Sequence, residues 1–427
     1  MRKASLAHLL VIDKPRNERS QAQNEPGRSR LIPRAGYDRL ALMAGLSLVP
    51  ISIAASEFFL SIAVVLRLVR LARSQTRMDF PRCFWFWLLW TGLEFVVWAQ
   101  SPRPALGWSE IRHIILVGSL FAVLPALGRK KDCRTVWKAI FITSSLSSVF
   151  LIGEFFWRLA HYRREISAGG DAGFYLRSGG LLHHWMVYGT VEILVVAGLL
   201  SFWSVYREER RRWWPSACIN GLAVLLSLTR MAWITCLLLL GIDLLWRRSK
   251  WILALPLLPV ALYVLAPSGV RLRLNDSSDP AYYSNSERLQ MLQVGWRMVR
   301  DHPIAGVGPG RVESLYTSYL APEDPVPAYH GHLHNNLAQI AAQFGIPVTL
   351  TALLFLAVLF RDLVRARKIA RTRDDRFLTQ TAILALTGFV FAGLFEYTYG
   401  HSLALILLCF AVSPILVPVA PEHQRSS

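Results

Sequence analysis

Charged side chains make up only 18% of this chain of 427 residues, and the acidic ones are scarcest, 28 against 47 lysines and arginines. So little charge, with 53% hydrophobic residues and a mean hydropathy of +0.35, excludes a soluble domain of this size. Cysteine is rare too. The five, Cys83, Cys133, Cys218, Cys236 and Cys409, lie apart in or beside apolar runs without a CxxC pair, which argues against a disulfide framework and a thiolate metal site. The first 39 residues contain no cleavable apolar core and read as a basic, disordered cytoplasmic tail. In a soluble chain the net charge of +19 would suggest nucleic acid as partner. Here the basic residues form short clusters between apolar runs, and no nucleic acid is expected.

What the chain does have is long apolar runs. A spanning helix takes about 20 apolar residues, so a run near twice that length divides into a pair. Two pairs follow, over residues 40–72 with Pro50 inside and over 214–246, interrupted by SLTR and turning at Arg230. Single spans are predicted at 83–100, 109–127, 135–157, 184–205, 251–267, 336–360, 377–395 and 401–418. The fold class is therefore an all-α polytopic membrane protein with about 12 transmembrane helices and one large extracytoplasmic loop. Spans 1–9 fill 40–266, the loop 267–335, spans 10–12 fill 336–418, and 419–427 is a second cytoplasmic tail. With the N-terminus inside, every strongly basic cluster (67–82, 128–134, 206–212, 247–250 and 361–376) falls on the cytoplasmic face, as the positive-inside bias requires.

The opposite face collects the unusual residues. Arg230 stands between apolar segments so short that its guanidinium lies at or near membrane depth, where it either snorkels to water or clamps an anion. Helical periodicity over 286–299 with Ser286 as N-cap puts Arg288 in the first turn, where a cation opposes the helix dipole and points to a ligand. GVGPG at 306–310 lacks the Lys-Ser/Thr of a phosphate loop and the spacing of a dinucleotide loop, and reads as a flexible turn. His330, His332 and His334 alternate as a strand would present them. Alternate residues on one short strand rarely close a tetrahedral site without a distant fourth ligand, so no metal is assigned. His334, at the mouth of the apolar run, is either an interfacial helix-start histidine or a catalytic or substrate-binding one.

These residues together resemble the O-antigen ligase and O-antigen polymerase-like superfamily of bacterial envelope glycosyltransferases. His334-Asn335, nine residues, Gly345 and then Val348-Thr349 resemble its signature, with Val348 where a second glycine is frequent. SLTRMAW, with Arg230, is similar to the family's S-R-(G/A)-W segment, and RLQMLQVGWRMVRDHPIAGVGPG, with Arg288 leading, to its Arg-Trp-GxGxG loop. RSGGLLHHWMVYG, with Arg177, Gly180 and His183, resembles an earlier segment, so the similarity runs over residues 177–350.

The resemblance implies a cofactor-free, metal-independent membrane glycosyltransferase of the bacterial inner membrane with its active site on the periplasmic face. Members move a glycan from an undecaprenyl diphosphate carrier to an acceptor sugar. A ligase uses the lipid A core; a polymerase lengthens the glycan of an O-antigen or exopolysaccharide on its own carrier. It implies catalytic roles for His334, Arg288 and Arg230, the arginines meeting the diphosphate charge and the histidine acting as base or as binding group. Substrate contacts would come from Arg177, His183, Asn335, Arg311 and His332. The reading from another class, a transporter or lipid flippase, calls for charges near midmembrane and paired halves, and the chain shows no internal repeat.

Overall fold

Apolar runs in a membrane fold as helices because hydrocarbon offers the backbone no other hydrogen-bond partner. The computed structural model describes residues 36–74, 80–166, 176–265, 270–271, 274–275, 283–327 and 330–416, and every element among them is helical. Most of the expected N-terminal tail and the tail at 419–427 lie outside the described residues. The run over 40–72 forms α1 (Tyr37–Ser47) and α2 (Ile53–Ser74), packed on each other across the turn that holds Pro50. Next come α3 (Arg82–Ala99), α4 (Trp108–Val123), α5 (Lys130–Ile166) and α6 (Trp185–Val205). The second long run divides into α7 (Arg210–Leu226) and α8 (Arg230–Trp246). Four helical segments among the described residues, Pro104–Leu127, Lys130–Arg164, Trp185–Val205 and Asn336–Ile369, are long and apolar enough to cross a membrane. Phe58, Leu88, Phe95, Leu146 and Phe150 face outward and exposed, as side chains of a membrane protein in contact with lipid do.

The run expected as a span over 251–267 differs. Instead of one unbroken helix it forms a 3-10 turn, Lys250–Ala254, and then α9 (Leu257–Leu265), and residues 266–269 lie outside the described residues. Pro256 stands between the two pieces and Pro259 in the first turn of α9, and neither can donate to a continuous helical ladder. After α9 comes α10 (Tyr283–Asp301), which begins before the expected Ser286. Ser286 therefore lies within the helix instead of capping it, and Arg288 stands in its second turn. The chain closes with α11 (Asn336–Ile369), α12 (Arg373–Ala392) and α13 (Ser402–Leu416).

At one end of the bundle three basic clusters meet carboxylates. Arg134 pairs with Asp374 at 2.8 Å and Lys138 with Glu209 at 2.7 Å, while Lys130 pairs with Asp375 and Arg373 with Glu208. These pairs hold the starts of α5, α7 and α12 on one face.

The other end depends on a break in α11. Gly345 sits at φ 84° and ψ 174°, and Pro347 supplies no N–H, so two carbonyls of the preceding turn lose their helical donors. The chain after α10 makes good the loss. Val307 N–H donates to Ala342 O at 2.8 Å and Gly308 N–H to Gln343 O at 3.1 Å, while Ile346 N–H turns out to Pro303 O at 2.8 Å. GVGPG is thus a clasp on the broken helix, and beneath it Met291, Val294, Met298, Val307, Val312 and Leu333 form a small core.

A Cβ on Gly345 would lie 2.2 Å from Ile304 O in a backbone region that side chains avoid. Gly345→Ala is expected to lower the thermal midpoint of the detergent-purified protein by several degrees. Gly92→Ala, where a Cβ meets nothing within 4 Å, should leave it equal or higher. Equal midpoints for Gly345→Ala and the wild type would refute the clasp.

Candidate active site

The three residues His334-Asn335-Asn336 enter α11, and each side chain reaches the turn between α12 and α13. Asn335 accepts from Ala338 N–H at 3.0 Å as N-cap and donates from Nδ2 to Leu394 O at 3.0 Å. Asn336 Nδ2 donates to Thr398 Oγ1 at 2.9 Å, and its Oδ1 accepts from Tyr399 N–H at 3.2 Å. His334 Nδ1 lies 2.7 Å from Oε2 of Glu396. His334 holds this position at φ 48°, a left-handed conformation uncommon outside glycine and characteristic of constrained sites.

Glu396 is only 1% exposed. Burial by itself raises its carboxyl, but the hydrogen bond and charge of His334, then the charges of His332 and His401, outweigh that and bring it down to about 2. Glu396 is therefore ionised and can only accept, so Nδ1 of His334 carries the proton and Nε2 is left as the basic nitrogen. His332 Nε2 stands 3.5 Å from Oε1 of the same carboxylate, its ring edge-on to His334 at 4.2 Å. Burial pushes the His332 imidazole down to about 4, so it is neutral at pH 7. His330 is not part of this group: its Nδ1 pairs with Pro327 O and its ring lies on Tyr316.

The arginines approach from two other helices. Arg230 is the first residue of α8, and its Nη1 donates to Asn285 Oδ1 at 2.6 Å. Asn285 and Arg288 are one turn apart on α10, so Arg230 is tied to the turn that carries Arg288. Glu287, between them, is raised by burial and drawn back by the charge of His334, which places this turn within electrostatic reach of the imidazole. Arg177 lies over the ring of Trp185, and its charge acts on His184, which is also within reach of His334 and Glu396. His183 is exposed, at φ 61°, and its neighbour His184, also exposed, accepts from Met186 N–H and stacks on Trp185. Arg311 is elsewhere; its Nη1 donates to Val307 O at 2.8 Å in a cavity beside the GVGPG clasp.

The N-termini of α6, α8, α11 and α13 all open on this end of the bundle, at His184, Arg230, Asn335 and His401. Their dipoles favour an anion in front of them. Glu396 was not singled out from the sequence, although it lies in EYTYGH, between the spans expected at 377–395 and 401–418. A lone carboxylate between two apolar runs was the available signal. His332, His334 and Glu396 also offer three ligand atoms within 4.8 Å of one another, a set able to hold a metal ion.

The site is a histidine–carboxylate pair at one end of a helical membrane bundle. Residues 215–353 match the O-antigen ligase family, and this match supports an O-antigen ligase-like superfamily for that part of the chain. No curated protein matches the chain. The matched segment carries Arg230, Arg288 and His334, while Glu396 lies beyond its end.

A depressed carboxyl stabilises the fold above its unfolded value near 4.5, and that contribution disappears as pH falls toward about 2. The wild type is therefore expected to melt a few degrees above Glu396→Gln at pH 7, with the gap closing as pH falls below about 4. A gap that stays constant over that window would show that Glu396 is not ionised in the folded protein.

Proposed function

We propose that this chain transfers a glycan from a polyprenyl diphosphate carrier to an acceptor sugar, as an O-antigen ligase-like glycosyltransferase at the outer face of the bacterial inner membrane. The observation that carries the reading is the 2.7 Å His334–Glu396 pair set among helix N-termini and arginines in an O-antigen ligase-like chain. In the reaction the acceptor hydroxyl attacks the anomeric carbon and the bond from that carbon to the diphosphate oxygen breaks. Nε2 of His334 takes the hydroxyl proton, and Glu396 stabilises the imidazolium that forms. The negative charge that grows on the departing diphosphate meets Arg230 and Arg288, whose planar forks suit phosphate oxygens and stay charged at any working pH.

His332, His184 and Arg177 surround the donor's phosphates or first sugar, and Asn335 holds the start of α11. An apolar groove along α3, α4 and α11 to α13, lined by Trp87, Trp90, Phe355 and Leu405, reaches Asn336 at its upper end and suits the carrier's hydrocarbon tail. No metal takes part in this scheme, because the arginines carry the charge that a divalent ion would otherwise neutralise. The chain is proposed to cross the membrane 12 times with both termini cytoplasmic, in keeping with its alternating basic clusters.

His334→Ala is expected to lower transfer from a polyprenyl diphosphate-linked glycan by roughly 100- to 10,000-fold while leaving donor binding nearly intact. Wild-type turnover should fall as pH drops, as the base must be neutral, and Glu396, ionised down to about 2, does not produce that limb. The limb should be missing from residual His334→Ala activity. Arg288→Ala and Arg230→Ala should each abolish or severely reduce transfer while the protein still accumulates, and Arg288→Lys should restore little. High activity in His334→Gln, or complete loss in EDTA with recovery on adding zinc, would overturn the base assignment.

For the topology, a reporter active only outside the cytoplasm should give signal when fused at Ser318 and none at Lys368. The reverse pattern would invert the face of the site.

A further inference from the structure

Beside the GVGPG clasp lies a second polar space, a cavity of about 930 Å³ open to solvent. It is not an extension of the His334 site. Arg288 and Gly295 share one edge of α10, and Gly295 lies against Leu333 beside His334. Arg297 is nine residues beyond Arg288, which at about 100° per residue puts it on the opposite edge of the helix. The cavity is on that edge, walled by the C-terminal half of α10, the end of α3 and the chain at 315–322.

Three guanidinium groups line it, Arg297, Arg300 and Arg311, against one carboxylate, Asp301, which pairs with Arg300 at 3.2 Å. Arg297 Nη1 donates to Tyr319 O at 2.7 Å and Arg311 Nη1 to Val307 O at 2.8 Å. Backbone carbonyls thus hold both forks in place, yet among the described residues no carboxylate meets the charge of either. Ser101 is 8% exposed, lines the same space, and its hydroxyl has no hydrogen-bond partner among the described residues. Glycine at 308 keeps the wall open, since a Cβ there would stand 2.8 Å from Ser101 Oγ and 3.2 Å from Arg311 Cδ. A buried hydroxyl without a partner among the described residues, in one cavity with two fixed, unneutralised cations, is a polar arrangement suited to an anionic ligand.

We infer that this cavity is a second ligand site, separate from the His334–Glu396 centre, which binds an acidic saccharide through its carboxylate or phosphate groups. A single small anion would fill little of such a volume, which is the size of pockets that take ligands of several rings. Tyr319 and Ser318 on its outer wall supply the ring face and hydroxyl that a sugar uses. The acidic sugar belongs either to the donor's glycan or to the acceptor. The binding does not depend on the transfer reaction.

The test is a titration of the full-length, detergent-purified protein with trigalacturonate and, as the neutral counterpart, maltotriose. Trigalacturonate should bind at least tenfold more tightly, with affinity falling as salt rises. Arg297→Gln and Arg311→Gln should each weaken it about tenfold, as should Ser318→Glu, which brings a negative charge to an exposed position on the rim. His334→Ala should leave it unchanged. Equal affinity for the two trisaccharides, no binding to the wild type, or affinity untouched by all three cavity substitutions would overturn the proposal. Loss of binding in His334→Ala would overturn the separation of the two sites. Preloading His334→Ala protein with an acidic polyprenyl diphosphate-linked glycan separates the sources: displacement of trigalacturonate assigns the cavity to the donor's glycan, and its persistence to the acceptor.

Discussion

A carboxylate sealed at the end of a membrane bundle must be met by a donor, and around Glu396 that requirement organises the site. With 1% of its surface exposed, Glu396 has exchanged its hydration for Nδ1 of His334 at 2.7 Å. The bond joins the start of α11 to the turn before α13, and the flanking Asn335 and Asn336 add further hydrogen bonds between the same two segments. The imidazole is consequently fixed in both orientation and tautomer. A base held this way loses little freedom on meeting an acceptor hydroxyl, which is how a rigid scaffold contributes to rate.

The two ends of the bundle use the same residue types in opposite ways. Where α5, α7 and α12 begin, arginine and lysine are matched by Asp374, Asp375, Glu208 and Glu209, and the charges serve packing. At the other end, helix N-termini open beside Glu396, a deeply buried carboxylate that is already engaged by histidine. Positive potential there lies in wait for an anion. Such fields act strongly near low-dielectric walls, so a lipid-borne diphosphate arriving from the membrane would meet them at short range.

The break in α11 links this electrostatic arrangement to the chain between α9 and α11. Gly345 and Pro347 release the carbonyls of Ala342 and Gln343, and the clasp at Val307 and Gly308 takes them up. Docked in this way, α10 presents Arg288 toward one polar space and Arg297 toward another. One backbone irregularity therefore seats the helix that separates the two.

Composition and periodicity were enough to define an all-helical membrane chain, because burial of apolar runs in hydrocarbon is a local property of sequence. The division at Pro50, the start of α8 at Arg230 and the family resemblance of His334, Arg230 and Arg288 were legible for the same reason: each is written in adjacent residues. The fate of 251–267 was less legible, since hydropathy counted its apolar residues while Pro256 and Pro259 limited its helix. The role of GVGPG was also hidden, as its partners are carbonyls some 35 residues away in the chain, freed only by the break at Gly345. Glu396 lies 62 residues beyond His334, and no spacing rule connects them. Only the tertiary structure decided that pairing, along with the departure of His330 and Arg311 from the cluster, because charge and hydrogen-bond partners are chosen by distance in space and not by distance along the chain.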